Sequence, residues 1–211
     1  MNPTDTTVIG IDVGGVGNGF HAVALRNGRF DPRHFMEAPV LARWCETQDA
    51  QVIAIDAPCA WASSGRSRLA ERSLAIGGQT IQCFKTSTRP SAKDRAFYGW
   101  VFNGEALYQS LSSHCRLFDG TRQTGKIVFE TFPHAVLCAL AGRVVPARPK
   151  ATTRRKRLRD EGYDDTPLAN IDFVDAALCA LTAERFLVGG TTSRGDKAEG
   201  FIVVPAVVAS T

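Results

Sequence analysis

Three acidic residues close three separate apolar runs: Asp12 near the end of Val8–Val13, Asp56 after Val52–Ile55, and Glu130 at the end of Ile127–Glu130. Acidic side chains are disfavoured inside strands, so three of them at corresponding strand ends are hard to attribute to solubility. Asp172 and Asp175 stand three residues apart, which on a helix sets both carboxylates on one face about a turn apart. Asp175 lies among Phe173, Val174, Ala176 and Ala177, a setting that penalises an unpaired charge. Carboxylates that converge repel one another, so such a cluster needs cations or raised pKa values. Mg²⁺ or Mn²⁺, which take hard oxygen ligands, supply the first remedy, and two such ions can clamp the attacking and leaving oxygens of a phosphodiester. Hydrolysis at phosphorus is the chemistry this arrangement suits. Each residue also has a plainer reading: Asp172 as a complement to a helix dipole, Asp56 before Ala57-Pro58 as a turn former.

The elements that must position these groups follow from pattern. Val8–Val13 is a short β-branched run entering a glycine cluster, the look of a buried central strand. Phe20–Leu25 and Arg29–Phe35 flank Arg26-Asn27-Gly28, and Asn-Gly between extended segments predicts a hairpin. A helix over Pro39–Thr47 leads to a second buried strand at Val52–Ile55, implying a parallel crossover. The middle region, 59–120, predicts two or three helices, one of them around Phe97–Leu111. A strand at Ile127–Glu130 precedes a helix through Ala141, and a further helix runs from an Asn170 cap to about Phe186, stopped by Gly189-Gly190. Phe201–Val204 predicts a closing strand. The order describes an α/β chain of RNase H-like layout: a mixed five-stranded sheet, three antiparallel strands then parallel ones, flanked by helices. We expect one domain over 1–211 with a helical insertion at about 59–120 and a basic loop or helix at about 143–160.

The net charge of +4 is unevenly spread: the stretch 143–159 has eight basic residues and no acidic one, leaving 17 basic against 21 acidic residues elsewhere. That patch could hold phosphates or be a solvated face. Lys150 and Arg154 within it, with Arg66 and Arg68 in the insertion, are candidate contacts to substrate phosphate; Arg72 and Arg89 are further possible groove residues. Six cysteines without C-x-x-C spacing read as reduced thiols of a cytoplasmic protein. No apolar run is long enough to span a bilayer, 201–209 being short and broken by Pro205. His21, His34, His114 and His134 lack metal-ligand spacing and read as core or surface residues, with His134 a possible proton carrier. Trp100 and Tyr108 share helical spacing with Leu107 and Leu111, which favours core packing over base stacking.

The pattern Gly10-Ile11-Asp12-Val13-Gly14, Ile55-Asp56-Ala57-Pro58, Glu130-Thr131-Phe132-Pro133 and Asp172-Phe173-Val174-Asp175-Ala176 resembles the "domain of unknown function 429" family, regarded as predicted nucleases of RNase H-like fold. The motifs fall in family order over nearly the whole chain. The resemblance implies a catalytic and metal-binding cluster of Asp12, Asp56, Glu130 and Asp175, with Asp172 as an adjacent metal ligand, in the manner of metal-dependent RNase H-like nucleases and Holliday-junction resolvases. The chain departs from the family around Arg66-Ser67-Arg68 and Glu71-Arg72, where an expected aspartate is not in place.

The leading expectation is therefore a metal-dependent nuclease or phosphodiesterase that uses Mg²⁺ or Mn²⁺ on DNA or RNA. A non-catalytic RNase H-like module that grips nucleic acid or a protein is the alternative. A phosphotransferase of the actin and sugar-kinase type, suggested by Asp12-Val13-Gly14-Gly15, would need a second such domain, for which 211 residues leave no space.

Overall fold

The computed structural model describes residues 5–15, 17–93, 95–121 and 124–207; the ends of the chain, including the last residues of the apolar run 201–209, lie outside them. The strands β1 (Val8–Val13), β2 (Phe20–Arg26) and β3 (Arg29–Phe35) form an antiparallel meander. At the β2–β3 turn Asn27 and Gly28 have φ of 51° and 71°, the left-handed backbone that a two-residue hairpin demands. Helix α1 (Ala38–Thr47), with Pro39 in its first turn, carries the chain to β4 (Val52–Asp56), which pairs parallel with β1.

Residues 59–120 hold the short helix α2 (Leu69–Arg72), the small hairpin β5 (Ala75–Ile76) and β6 (Gln79–Thr80), a 3₁₀ turn at Arg89–Ser91, the long helix α3 (Arg95–Leu111) and the short strand β7 (Arg116–Leu117). Then come β8 (Ile127–Glu130), α4 (Pro133–Ala141), α5 (Lys150–Asp160) within the basic stretch, α6 (Ile171–Leu187), β9 (Thr191–Asp196) and β10 (Gly200–Pro205). The main sheet runs β3-β2-β1-β4-β8-β10-β9, with β7 also paired to β8. Its first five members are three antiparallel strands followed by parallel ones, as the order of elements predicts. The sheet is wider than the expected five strands because the antiparallel β9–β10 hairpin continues it past β8, to which β10 is parallel. Thr191-Thr192-Ser193-Arg194-Gly195-Asp196 has no apolar alternation, so β9 carries no strand signal of the usual kind.

Strand alternation sorts the core into two layers. Val8, Val23, Leu25, Val52, Ala54, Ile127 and Phe129 pack toward α6. Ile9, Ile11, Ala22, Ile53, Ile55 and Val128 pack toward α1 and α3. Helix α6 is buried from Val174 to Ala183. It lies against β1 because Gly10 has no side chain: a Cβ there would collide with the Ala176 carbonyl oxygen and the Ala180 nitrogen. The Phe173 N–H donates to the Asn170 side chain at 3.0 Å, so Asn170 caps α6. All six cysteines are free, and among the described residues no helix is long and apolar enough to cross a membrane.

Candidate metal centre

The alternation that sends Val8 and Gly10 toward α6 sends Asp12 the same way, at the strand end. Asp56 is its register partner on β4, and His21 its register partner on β2, so three polar side chains share one face of one sheet edge. Helix α6, pressed close by Gly10, adds Asp172 and Asp175 from its first turns. Asp12, His21 and Asp172 each place one ligand atom so that all three lie within 4.8 Å of one another. Asp56 hydrogen-bonds Asp12. Asp175 is 1% exposed; Lys150 Nζ stands 2.6 Å from its Oδ2, and Arg154 donates to its Oδ1.

Burial, then the charges of Asp175 and Asp172, pushes the Asp12 carboxyl up to about 7. Burial and then Asp12 itself hold Asp56 well above the usual carboxylate range. The pair therefore keeps a proton near neutral pH unless a further positive charge enters. Burial lowers the His21 imidazole below the ordinary histidine value, which leaves it neutral, the form that ligates metal. The ring is wedged between His34 and Phe173, each with its centroid 4.7 Å away. It is 9% exposed, and its Nδ1 has no hydrogen-bond partner among the described residues. Its Nε2 lies 3.4 Å from the Asn170 side-chain nitrogen; a buried imidazole with one nitrogen unpartnered, beside two carboxylates, fits a divalent cation, and the predominance of carboxylate oxygens fits Mg²⁺ or Mn²⁺. His21 was not foreseen as a ligand. Its signal is positional: in the antiparallel register of the first hairpin it stands opposite Asp12.

Of the sequence-derived candidates, Asp12, Asp56, Asp172 and Asp175 act on one another, while Glu130 lies on the other face of the sheet and shares a small cavity with Asp56. Glu130 pairs in register with Ile55, not with Asp56, so it shares the face of Ile53 and Ile55. There both its oxygens accept from Arg68, at 2.6 and 2.7 Å, and Oε2 also accepts from the Cys59 N–H at 2.9 Å. Arg68 is 1% exposed and its Nε donates to Glu71 at 2.8 Å. Burial opposes the charge of this guanidinium, but the Glu130 carboxylate more than offsets that and keeps it protonated. Arg68 is thus inside the protein, with its guanidinium committed to Glu130 and Glu71; its sequence neighbours signal a loop, which is why it reads as exposed. Arg66 is exposed, Arg154 is buried against Asp175, and the Lys150 side chain is 46% exposed at the rim.

The rest of the basic helix is spent on internal pairs: Arg155 and Arg159 with Asp165, Lys156 with Asp160, and Arg157 with Glu161. The patch read from composition is mostly neutralised by acids that follow it in the chain. His134 has its Nε2 3.8 Å from Cys138 Sγ, and its Nδ1 has no partner among the described residues. Burial and the nearby Arg154 charge lower its pKa.

A family model described as "Protein of unknown function (DUF429)" matches residues 10–200. Among solved structures, one described as "Thermus thermophilus RuvC structure" is similar at 17% identity and a TM-score of 0.44, covering 87% of this chain and 97% of that one. No curated protein matches the chain.

Proposed function

We propose that this protein, which belongs to the DUF429 family, is a metal-dependent phosphodiesterase acting on nucleic acid, built as one RNase H-like domain with a helical insertion at 59–120 and a basic helix at 143–160. The observation that carries this reading is the convergence of Asp12, His21 and Asp172 within 4.8 Å, with Asp56 hydrogen-bonded to Asp12 and Asp175 beside them. These residues would hold Mg²⁺ or Mn²⁺, with Asp12 central because it adjoins both Asp56 and the His21–Asp172 pair. A divalent ion bound there supplies Lewis acidity at a phosphoryl oxygen and favours ionisation of an attacking water.

The chain's own groups do the rest. Asp12 and Asp56, which hold a proton between them without metal, would have to release it to serve as ligands. Lys150, the exposed cation of the set, pairs its Nζ with a non-bridging phosphate oxygen, while Arg154 stays on Asp175 and fixes that carboxylate. Arg66 is a second phosphate contact from the insertion. Glu130 and Arg68 serve by holding the insertion to the sheet. Six free thiols support a cytoplasmic setting.

The test is cleavage of labelled DNA and RNA, single-stranded, duplex and branched, with Mg²⁺ or Mn²⁺. Asp12→Asn is expected to lose at least about a hundredfold in rate while still binding. Binding without cleavage by the unmodified protein on every substrate would make it a non-catalytic module instead.

A further inference from the structure

The insertion between β4 and β8 carries eight basic and four acidic residues over 59–120 and gathers a cluster of six aromatic rings. Phe84 has its centroid 5.5 Å from Phe97, 5.8 Å from Tyr98 and 4.9 Å from Trp100. Trp61 continues the cluster, 6.1 Å from Tyr98 and 5.2 Å from Phe102. Of the six, Trp100 alone packs against a core cluster among the described residues, in keeping with its helical spacing to Leu107 and Leu111. Phe97 is 56% exposed and the others are half-buried. A contiguous aromatic face of this kind on a soluble chain marks a binding surface more often than a lone exposed ring does.

Its position is fixed by contacts to the acidic edge. The Asn103 side chain on α3 donates to the Gly14 carbonyl at 2.9 Å, two residues past Asp12. The Tyr108 hydroxyl donates to the Ala57 carbonyl at 3.1 Å, next to Asp56. Asp56 also lines a small cavity, about 50 Å³, together with Phe84 and Trp100. The carboxylates face α6 and the rings lie on the α3 side of the same sheet edge. Arg66, Lys85 and Lys93 are exposed and have no ion-pair partner among the described residues. Arg89 lies 5.7 Å over the Phe102 ring.

Exposed and half-buried rings in a segment that also carries exposed cations suit a polyanion whose bases are free to stack, since every base offers a π-face and phosphates follow the cations. A duplex keeps its bases stacked on one another and cannot offer them without splaying. We infer that the aromatic face formed by Phe84, Phe97 and Tyr98 receives unpaired nucleobases, so that the substrate carries single-stranded or splayed-out nucleotides next to the scissile phosphate. The inference deepens the phosphodiesterase reading and rests on it for the identity of the bond cut.

The experiment is fluorescence anisotropy of a labelled oligothymidylate and of a blunt duplex of equal length, at one salt concentration, with Ca²⁺ in place of Mg²⁺. The single strand is expected to bind about tenfold tighter. Phe97→Ala is expected to weaken single-strand binding about five- to tenfold, to leave duplex binding unchanged, and to shift the melting temperature by no more than about 2 °C because the ring is exposed. Phe97→Leu, which keeps bulk and loses the π-face, should show the same loss. Equal affinity for strand and duplex, or retention of single-strand affinity in both variants, overturns the inference. The two readings fail separately: an oligonucleotide bound through these rings but never cut with Mn²⁺ removes the phosphodiesterase, whereas cleavage of duplex as readily as single strand removes the stacking surface.

Discussion

At the scale of residues, Asp12 joins the two halves of the site, since it hydrogen-bonds the Asp56 carboxyl on one side and lies close to His21 and Asp172 on the other. Its carboxyl is raised from an ordinary 3.8 to about 7, and the sign of the consequence is definite. A carboxyl that holds its proton more tightly when folded than when unfolded costs stability once pH exceeds the unfolded value. The metal-free protein should therefore melt at progressively lower temperature as pH rises from about 4 through about 7, the raised Asp56 carboxyl adding to the loss. Asp12→Asn should flatten the profile, and saturating Mg²⁺ should restore the loss. Thermal melts in chelator across this range check it; stability that rises over the window contradicts it. His21→Ala should weaken Mn²⁺ binding about 10- to 100-fold by calorimetry and Mg²⁺ binding less, because imidazole suits the softer ion. The aspartates were legible from their types and placement at element ends. His21 was not, because a ligand contributed across a strand pair has no spacing of its own in sequence.

Among elements, β8 shows how a shift of one residue decides a role. Ile127 and Phe129 point toward α6, so Glu130 points away from it, and a carboxylate at a strand end becomes the anchor of a buried arginine. The parity was present in the sequence, but the register against β4 that makes it decisive was not. Arg68→Met should cost about 3–5 kcal/mol by leaving Glu130 and Glu71 buried without their partner, seen by chemical denaturation, and the protein that remains folded should bind nucleic acid normally. Weakened binding at unchanged stability would instead make Arg68 a substrate contact. Gly10→Ala drives a methyl group into the α6 backbone and should cost at least about 1–3 kcal/mol, with divalent metal affinity falling as well, since α6 carries Asp172 and Asp175. The basic helix α5 shows what composition leaves open: its charges read as a phosphate patch or a solvated face, and most are met by Asp160, Glu161 and Asp165.

On the scale of the whole molecule, one sheet edge gathers the C-terminal ends of β1 and β4, the first turns of α6, the exposed lysine of α5 and the aromatic flank of the insertion. Strong apolar runs and the Asn27-Gly28 turn made the five-stranded heart readable in advance. The β9–β10 widening was not, because β9 is polar and gains its strand conformation only by pairing with β10. Nor could the insertion's rings be separated from ordinary core residues before α3 was placed against Gly14 and Ala57. The proposed function requires a divalent ion at Asp12. The most direct measurement is the anomalous difference density of a crystal soaked in Mn²⁺: a peak within about 2.0–2.4 Å of an Asp12 carboxylate oxygen, with His21 or Asp172 as a second ligand, is the predicted result. A featureless map at that position in a saturating soak, with Lys150 and Arg154 still closed on Asp175, would contradict it.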